Sequence, residues 1–225
     1  MNLKEVVGKE AVNYVKDGMI VGLGTGSTVF YFVHALAEKV KEGLNIEMVS
    51  TSIQTVELAK SLGLVIKELE EIDHIDLAVD GVDEIDKNFN AIKGGGAALF
   101  REKIVADIAE KIIWIFDESK DVEKLGNFNL PVEILPFGYS HTIRKMEKLG
   151  LNPVLRLKDG KTLVTDNYNY IVDLHLGYGF DIDEVKNKLA DIVGVVEHGL
   201  FLNMCDLCIS GTPNGAVVIE NPNKK

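Results

Sequence analysis

The sequence predicts an α/β protein: a doubly wound, mostly parallel sheet domain with an inserted small α+β (ferredoxin-like) domain. Two observations support this fold class. Up to about residue 126, short apolar strand patterns alternate with amphipathic helical patterns, as in the strand-helix-strand units of parallel sheets. Beyond that point the order becomes β-α-β-β-α-β, which matches a ferredoxin-like unit of about 70 residues.

The first part of the chain carries the predicted parallel sheet. Strands are predicted where short apolar runs lie between turn residues, and helices where apolar residues recur every three or four positions. In chain order these patterns predict a helix at Leu3–Val15, a strand at Met19–Gly22, a helix at Thr28–Lys41, a strand at Ile46–Val49, a helix at Ile53–Leu62, strands at Leu64–Ile66 and Ile75–Val79, a helix at Ala97–Glu110 and a strand at Ile112–Phe116.

The second part carries the predicted small domain. Two further strands within Leu200–Ile219, around the turn Gly211–Gly215, are expected to return to the first domain, which makes the small domain an insertion. The predicted domains are therefore 1–126 plus 200–225, and 127–199. In chain order the elements of the small domain are a strand at Pro131–Leu135, a helix at Ser140–Leu149, strands at Pro153–Leu157 and Tyr168–Leu174, a helix at Ile182–Ala190 and a strand at Val195–Glu197.

Composition and charge exclude several classes of protein. Of the 225 residues, 46% are hydrophobic and 26% are charged, as in ordinary globular proteins, and the net charge is −11. A polyanionic partner such as nucleic acid would require clustered Lys and Arg, which the sequence lacks. No apolar run approaches the roughly 18 residues of a membrane span, and the chain opens with an amphipathic helix pattern where a signal peptide would need an apolar core. We expect a cytoplasmic protein with neither a membrane nor a nucleic-acid partner.

Cys205 and Cys208 form a Cys-x-x-Cys pattern that invites a redox or zinc interpretation. The segment Cys205–Ile209 has a strand pattern, and an offset of three residues places two strand side chains on opposite faces. A zinc site would also need a second pair of ligands, which the sequence lacks. We expect two thiols that neither pair nor share a metal.

The turn Gly22–Thr28 joins a predicted strand to a predicted helix. Its backbone amides and the helix N-terminus form a natural anion site, with hydroxyl donors from Thr25, Ser27 and Thr28. The dinucleotide fingerprint Gly-x-Gly-x-x-Gly fails in both registers, and no Gly-Lys-Ser/Thr closes a P-loop. The alternative is a glycine-rich turn that serves backbone geometry only.

The segment from Asp80 to Glu102 concentrates candidate chemistry. Asp80 and Asp83 follow the strand Ile75–Val79 and emerge at its carboxyl end, the edge at which open α/β sheets bind ligands. The run Lys93–Gly96 precedes a helix, and its glycines let backbone amides approach a ligand closely. The alternative for the two aspartates is a Mg²⁺ or Ca²⁺ site with Glu84 and Asp86, although the spacing fits no calcium loop.

Glu102 is placed by projecting its helix at about 100° per residue. It shares one arc with apolar residues, whereas the solvent arc belongs to other charged residues, so Glu102 is predicted to point inward. Burial raises the pKa of a carboxylate towards neutrality, which suits a general base. The alternative is a structural ion pair with Arg101 or Lys103. The inward arc is Ala98, Glu102, Val105, Ala106 and Ala109, and the solvent arc is Lys103, Asp107 and Glu110.

Lys120 follows the strand Ile112–Phe116, again at a carboxyl end. Taken alone, this position favours an ordinary surface lysine. The five histidines show no metal-ligand spacing, and no Gly-x-Ser-x-Gly elbow marks a nucleophilic serine. The chemistry is left to carboxylates and lysines.

Taken together, these motifs resemble ribose-5-phosphate isomerases of the A type over essentially the whole chain. Several separate motifs in the right order make the resemblance specific. The Cys205 to Cys208 pattern is not a signature of that family. The motifs are Gly24–Thr28, Asp80-Gly81-Val82-Asp83, Lys93–Leu99, Arg101-Glu102-Lys103, Ser119-Lys120 and Leu163–Asn167.

The resemblance implies the interconversion of ribose 5-phosphate and ribulose 5-phosphate in the non-oxidative pentose phosphate pathway, without metal or other cofactor. It implies that Glu102 is the proton acceptor. From the chemistry of an enediolate we assign the stabilisation of its oxygen to Lys93 and the glycine amides. Our hypothesis for Asp80 and Asp83 is that they steer hydroxyl protons and help open the sugar ring. The residues implied to contact substrate are Thr25, Gly26, Ser27, Thr28, Asp80, Gly81, Val82, Asp83, Lys93, Gly94, Gly95, Gly96 and Lys120.

The resemblance also implies a homodimer or homotetramer. It gives the larger domain the catalytic role and the small domain a role in covering the site or in oligomerisation. Two other functions stay open. An amino-sugar-phosphate isomerase or deaminase would need a catalytic His beside an acidic pair, and a non-catalytic sugar-phosphate sensor would carry a DNA-binding helix-turn-helix before the first strand.

Overall fold

A computed structural model describes residues 2–224. The chain divides into two compact units. Within the described residues, the first unit comprises the chain up to residue 82, residues 101–121 and the chain from residue 203 onwards, and the second comprises residues 83–100 and 122–202.

The helices follow the predicted order, with ends that differ by a few residues. In the described part of the chain they are α1 (Leu3–Val12), α2 (Ser27–Lys41), α3 (Ile53–Ser61), α4 (Leu99–Ile108), α5 (Tyr139–Lys148) and α6 (Ile182–Ala190).

The strands include those that the sequence predicts and several short ones that it does not. They are β1 (Ile20–Leu23), β2 (Glu47–Ser50), β3 (Leu77–Gly81), β4 (Glu84–Asp86), β5 (Asn90–Ile92), β6 (Ile112–Asp117), β7 (Asp121–Val122), β8 (Leu130–Ile134), β9 (Pro153–Leu155), β10 (Leu157–Lys158), β11 (Lys161–Thr162), β12 (Tyr170–Leu174), β13 (Val195–His198), β14 (Leu200–Leu202), β15 (Leu207–Thr212) and β16 (Gly215–Glu220).

The first unit contains the predicted mostly parallel sheet. Its strand order is β16-β15-β6-β3-β1-β2. All neighbouring pairs are parallel except β15 and β16, which form an antiparallel hairpin at one edge. The two strands after residue 200 that were expected to return to this sheet are therefore β15 and β16, as predicted.

Helices cover both faces of this sheet. Side chains alternate between the two faces of a strand, and in β1 the side chains of Val21 and Leu23 pack in one core cluster with Phe32 of α2. On the opposite face, a Cβ added at Gly22 would lie 2.7 Å from Val105 Cγ1 of α4. The sheet is thus doubly wound, which confirms the predicted fold class.

The second unit contains the predicted ferredoxin-like fold. The strand order β13-β8-β12-β9, antiparallel throughout, is that of a β-α-β-β-α-β unit in which β8 and β12 lie at the centre. One face of the sheet forms an apolar core that includes Val132, Val172, Met146 of α5 and Leu189 of α6. Within the same unit β4, β5 and β14 pair antiparallel.

Residues 83–100 lie in the second unit, whereas the predicted bounds placed them in the larger domain. They form β4 and β5, and β5 pairs with β14. These strands are only three residues long, too short to give a period-2 pattern that a sequence can reveal.

The predicted strand Leu64–Ile66 is wrong, because the structure has no strand there. A backbone hydrogen bond from Lys67 N to Met48 O joins the residue after this stretch to β2. Leu64 is buried in the core cluster of the first unit and Ile66 packs against it, whereas Val65 is 76% exposed. The apolar run therefore reflects packing on the core without strand pairing.

The prediction that the two cysteine side chains lie on opposite faces of a strand is also wrong. Their Sγ atoms lie 3.6 Å apart, and both residues are buried. The physical reason is that β15 begins only at Leu207, so Cys205 lies outside the strand and does not follow its alternation. The Asn221 side chain holds the irregular segment by donating to the Cys205 carbonyl oxygen at 2.7 Å.

A search of the described helices for one long and apolar enough to cross a bilayer finds none.

The cysteine pair leads to a first prediction. The hydrogen bond with Cys208 and burial raise the pKa of the Cys205 thiol, and the thiolate is the reactive form. We expect an aromatic disulfide reagent at pH 8 to label neither thiol in the native protein and both after unfolding in urea, as followed by absorbance. Rapid labelling of the native protein would contradict the burial of the two thiols.

Candidate active site

The Asp80 carboxylate organises the turn between β1 and α2. Its Oδ1 accepts hydrogen bonds from Thr25 N at 3.0 Å and from Gly81 N at 2.7 Å. A Cβ added at Gly24 would lie 2.0 Å from this oxygen, so only glycine fits there. Asp80 is 7% exposed. The glycine turn and the acidic turn therefore meet at the carboxyl ends of β1 and β3, which run parallel to each other.

The Thr25 hydroxyl belongs to a buried network. Its Oγ1 lies 2.7 Å from Thr51 Oγ1, and Thr55 Oγ1 donates to Gly24 O at 2.9 Å. Thr51 and Thr55 were not among the predicted site residues. Thr51 comes directly after the carboxyl end of β2, so the rule that ligands bind at that edge could have indicated it.

The amino end of α2 faces outward. Gly26 and Ser27 are exposed and Thr28 is half-buried, and Gly26 adopts φ 108° as the N-cap without a side-chain cap. The first-turn amides of a helix lack intrahelical partners and carry partial positive charge. The turn thus has the form of the predicted anion site.

Lys4 of α1 is a residue that the sequence prediction missed. Its Nζ donates to Ser27 Oγ at 2.8 Å, which places an ammonium at the anion site. Close packing of α1 and α2 brings it there, since a Cβ added at Gly8 would lie 2.7 Å from Phe32 N. No local signal marks Lys4, because its position depends on the packing of two helices.

Lys120 lies where the sequence placed it, after the carboxyl end of β6. It is half-buried and ends a short 3₁₀ turn, Glu118–Lys120, capped by Asp117. Because β6 pairs in parallel with β3, Lys120 lies at the same edge of the sheet as Asp80. Val82 is buried, so its backbone is the part of that residue suited to meeting a ligand.

Glu102 has the predicted inward orientation. It is 4% exposed, and Ala98, Val105 and Ala106 are also buried, whereas Asp107 is exposed. Val105, three residues further along the same face of α4, packs on β1 at Gly22. The inward orientation of Glu102 read from the helical phase is therefore confirmed, whereas Lys103, which was placed on the solvent arc, is half-buried. A carboxylate thus occupies the buried face of α4 in its first turn.

In the second unit, Asp83 is bound to the glycine loop. Gly95 N donates to Asp83 Oδ2 at 2.7 Å, and a Cβ added at Gly95 would lie 2.5 Å from Asp83 Oδ1. Gly94 has φ 105° and Ala97, which donates to Gly94 O, has φ 60°. Gly95 and Gly96 are exposed.

Lys93 is a buried lysine of the second unit, 3% exposed. Its amide donates to Gly199 O, and its Nζ lies 5.3 Å from the centroid of the Phe201 ring. An aromatic face attracts an ammonium at this distance. The environment holds the side chain in one place, as a preorganised charge requires.

Glu84 and Asp86 have structural partners in the same unit. Glu84 accepts hydrogen bonds from Gly126 N and Phe128 N, and Asp86 Oδ1 accepts from the amides of Asn88 and Asn90. Among residues 2–224, no group of three or more His, Cys, Asp or Glu side chains is arranged to hold a metal ion.

The comparisons with known proteins agree over nearly the full chain. A sequence model of the family Ribose 5-phosphate isomerase A (phosphoriboisomerase A) matches residues 47–215. Ribose-5-phosphate isomerase A of Levilactobacillus brevis is 55% identical over 97% of this chain and 96% of its own length. The enzyme of Bifidobacterium adolescentis is 53% identical over 99% and 97%.

Solved structures agree as well. Ribose 5-phosphate isomerase A from Methanocaldococcus jannaschii superposes with a TM-score of 0.91 at 38% identity, covering 97% of this chain and 98% of that one. A D-ribose-5-phosphate isomerase in complex with phospho-erythronic acid gives a TM-score of 0.92 at 38% identity, covering 98% and 100%.

Fold and comparisons together define an α/β isomerase of sugar phosphates. The chain belongs to the ribose 5-phosphate isomerase A family. This membership favours the isomerase over the amino-sugar-phosphate enzyme and over the sensor.

The contact between Gly24 and Asp80 gives a second prediction. Gly24→Ala places a methyl group 2.0 Å from Asp80 Oδ1. The carboxylate must then move away and lose its hydrogen bonds with the backbone amides of Thr25 and Gly81. We expect a loss of about 1 to 3 kcal/mol in the free energy of unfolding, typical of overpacking, together with reduced turnover of ribose 5-phosphate. Urea denaturation and a coupled assay measure the two effects.

Gly18→Ala is the matched control, because a Cβ there meets nothing within 4 Å although φ is +83°. It should cost only the strain of a left-handed alanine, about 1 kcal/mol, with turnover unchanged. Equal activity losses in the two variants would contradict a specific role for the Gly24 turn.

Proposed function

We propose that this protein interconverts ribose 5-phosphate and ribulose 5-phosphate through an enediolate, with Glu102 as the general base. The observation that carries the proposal is the buried carboxylate of Glu102 on the inward face of α4, in a chain that belongs to the isomerase family. The structure of a relative in complex with phospho-erythronic acid supports a sugar phosphate as ligand.

One carboxylate is sufficient for the proton transfers. Glu102 takes the proton from carbon 2 of the open-chain aldose, the electron pair forms the enediolate, and the same group returns the proton to carbon 1. A proton moves from the hydroxyl oxygen on carbon 2 to the oxygen on carbon 1, so atoms and charge balance. A positioned general base contributes roughly 10²- to 10⁴-fold.

We assign stabilisation of the enediolate oxygen to Lys93 and the glycine loop. The Gly95 amide already donates to Asp83, so within the loop the assignment falls on the amides of Gly94 and Gly96. Preorganised donors of this kind are each worth about 2.7 to 4 kcal/mol. The burial of Lys93 beside Phe201 supports a fixed rather than a mobile charge.

Asp80 and Asp83 receive different roles. Asp80 Oδ1 is engaged by two backbone amides that shape the β1–α2 turn, so we assign it to holding the phosphate turn as well as to substrate contact. Asp83 is half-buried and accepts a hydrogen bond from the Gly95 amide, and we assign to it the steering of hydroxyl protons and help in ring opening.

We assign phosphate binding to the turn Thr25–Thr28 and to Lys4 and Lys120. Backbone amides at the amino end of α2 and the Ser27 and Thr28 hydroxyls would bind its oxygens, and Lys4 and Lys120 would supply positive charge. The net charge of −11 makes such local cations necessary for holding a dianion.

Glu102→Gln tests the proposed base. The amide keeps the size of the side chain but cannot accept a proton, so kcat should fall by about 10²- to 10⁴-fold with KM little changed. Ribulose 5-phosphate formation is measured directly. The control is Asp107→Asn, which removes a carboxylate charge from the exposed face of the same helix and should leave kcat unchanged. Near-normal turnover of Glu102→Gln would refute the assignment.

Lys4→Gln tests the assignment of the phosphate. A hydrogen bond to a charged group is worth about 1.5 kcal/mol or more, so KM for ribose 5-phosphate should rise roughly tenfold. Turnover at saturation should change little, because the phosphate is carried on carbon 5 of the sugar and the proton transfer takes place at carbons 1 and 2. Lys9→Gln is the control, since Lys9 lies on α1 in an exposed ion pair with Glu5. An unchanged KM in Lys4→Gln would exclude Lys4 from the phosphate site.

The homodimeric or homotetrameric state, the cytoplasmic location and the lack of a nucleic-acid or membrane partner stay predictions of the sequence. The same holds for the division into a catalytic domain and a covering or oligomerisation domain, and for the absence of a cofactor.

A further inference from the structure

Arg156 links the sheet of the second unit to the glycine loop. It directly follows β9, and its side chain is 14% exposed. Its Nε donates to Asp173 Oδ2 at 2.8 Å and its Nη2 to Asp173 Oδ1, while its Nη1 donates to Gly94 O at 2.8 Å and to Gly95 O at 3.2 Å. Neither Arg156 nor Asp173 is part of the machinery assigned above.

The backbone of Arg156 is fixed on two sides. Its amide donates to Ile171 O of β12, and its carbonyl accepts from Leu163 N. Asp173, which binds the guanidinium, lies two residues after Ile171 in β12. The guanidinium is therefore held by a rigid sheet, and its remaining nitrogen is directed at the loop.

One peptide plane connects Arg156 to Asp83. The carbonyl of Gly94 and the amide of Gly95 belong to the same peptide, which is trans, so the two groups point in opposite directions. The carbonyl accepts from Arg156 Nη1 at 2.8 Å and from the Ala97 amide at 3.0 Å, and the amide donates to Asp83 Oδ2 at 2.7 Å. Holding the carbonyl therefore aims the N–H at the Asp83 carboxylate.

Glycine makes this restraint necessary. Gly94 and Gly95 flank the peptide, and glycine reaches both signs of φ at similar cost, so the plane can rotate unless something holds it. A rotated plane would turn the Gly94 carbonyl towards Asp83 and remove the hydrogen bond that orients the carboxylate. Arginine suits this role because its planar guanidinium group can donate to a carboxylate and to two carbonyls at once, which an ammonium cannot do in the same geometry.

We propose that Arg156, held by Asp173, is a positioning residue for the reaction: it locks the Gly94–Gly95 peptide and through it orients the Asp83 carboxylate. The inference rests on the proposed function, since Asp83 affects turnover only in the isomerase. Arg156 acts through the loop and takes no part in proton transfer itself.

A purely structural role makes a different prediction. If Arg156 only tied β9 to β12, its loss would lower stability and would add its effect to any other substitution. If it acts through Asp83, its loss should lower kcat in the folded enzyme, and that loss should largely vanish once Asp83 can no longer act.

The test is a double-mutant cycle in the full-length enzyme. Arg156→Gln should lower kcat for ribose 5-phosphate by about 10- to 100-fold with KM within about threefold, the size expected from misplacing a reacting group. Asp173→Asn should act in the same direction. In the Asp83→Asn background, adding Arg156→Gln should lower kcat by less than about threefold more. Arg144→Gln, on the exposed face of α5, is the control and should match the wild type.

Urea denaturation of each variant shows that the assayed protein is folded. If Arg156→Gln does not fold, Arg156→Lys takes its place, with the same direction expected because one ammonium cannot reproduce the fork. Unchanged kcat in the folded Arg156 variant, or effects of Arg156→Gln and Asp83→Asn that multiply, would overturn the positioning role alone. Lack of isomerase activity in the wild type would overturn the proposed function itself, and full activity of Asp83→Asn would overturn the assignment of Asp83.

Discussion

The hydrogen bonds of the Asp80 carboxylate are the contact on which the candidate site of the first unit depends. One oxygen accepts the amides of Thr25 and Gly81, and the space it occupies leaves no room for a side chain at Gly24. Charge-assisted bonds of this kind are stronger than neutral ones, and a buried carboxylate without them would be costly. The same contact thus fixes the turn, the start of α2 and the edge of β3.

In the second unit, Asp83 and Gly95 make a contact of the same kind. There too a glycine allows a carboxylate to approach an amide closely, so the glycines serve close contact as much as access for a ligand. The sequence predicted that backbone amides of this loop approach the ligand closely. The structure instead gives the Gly95 amide to Asp83 and the carbonyls of Gly94 and Gly95 to Arg156.

Buried carboxylates in this protein are not all candidates for chemistry. Glu84 binds two backbone amides. Glu133 is fully buried, and its Oε1 accepts from the side chains of Thr165, Asn167 and Asn169, so the motif around Thr165 that contributed to the family resemblance anchors a loop to a buried glutamate. Burial alone therefore does not distinguish a base from a structural anchor. A base is distinguished from a structural anchor by the hydrogen-bond partners of the carboxylate and by its position in the fold.

The sequence by itself determined the order of the main elements, the fold class, the inward face of Glu102 and the position of Asp80, Asp83 and Lys120 at strand ends. Each of these depends on local periodicity or on the direction of a single strand, which neighbouring residues encode. Only the tertiary structure placed Lys4 beside Ser27, Thr51 beside Thr25, Arg156 against the glycine loop and Cys205 beside Cys208. Those contacts join segments that meet only when helices pack and strands pair, or, for the cysteines, depend on where a strand begins. No pattern within one segment can specify them.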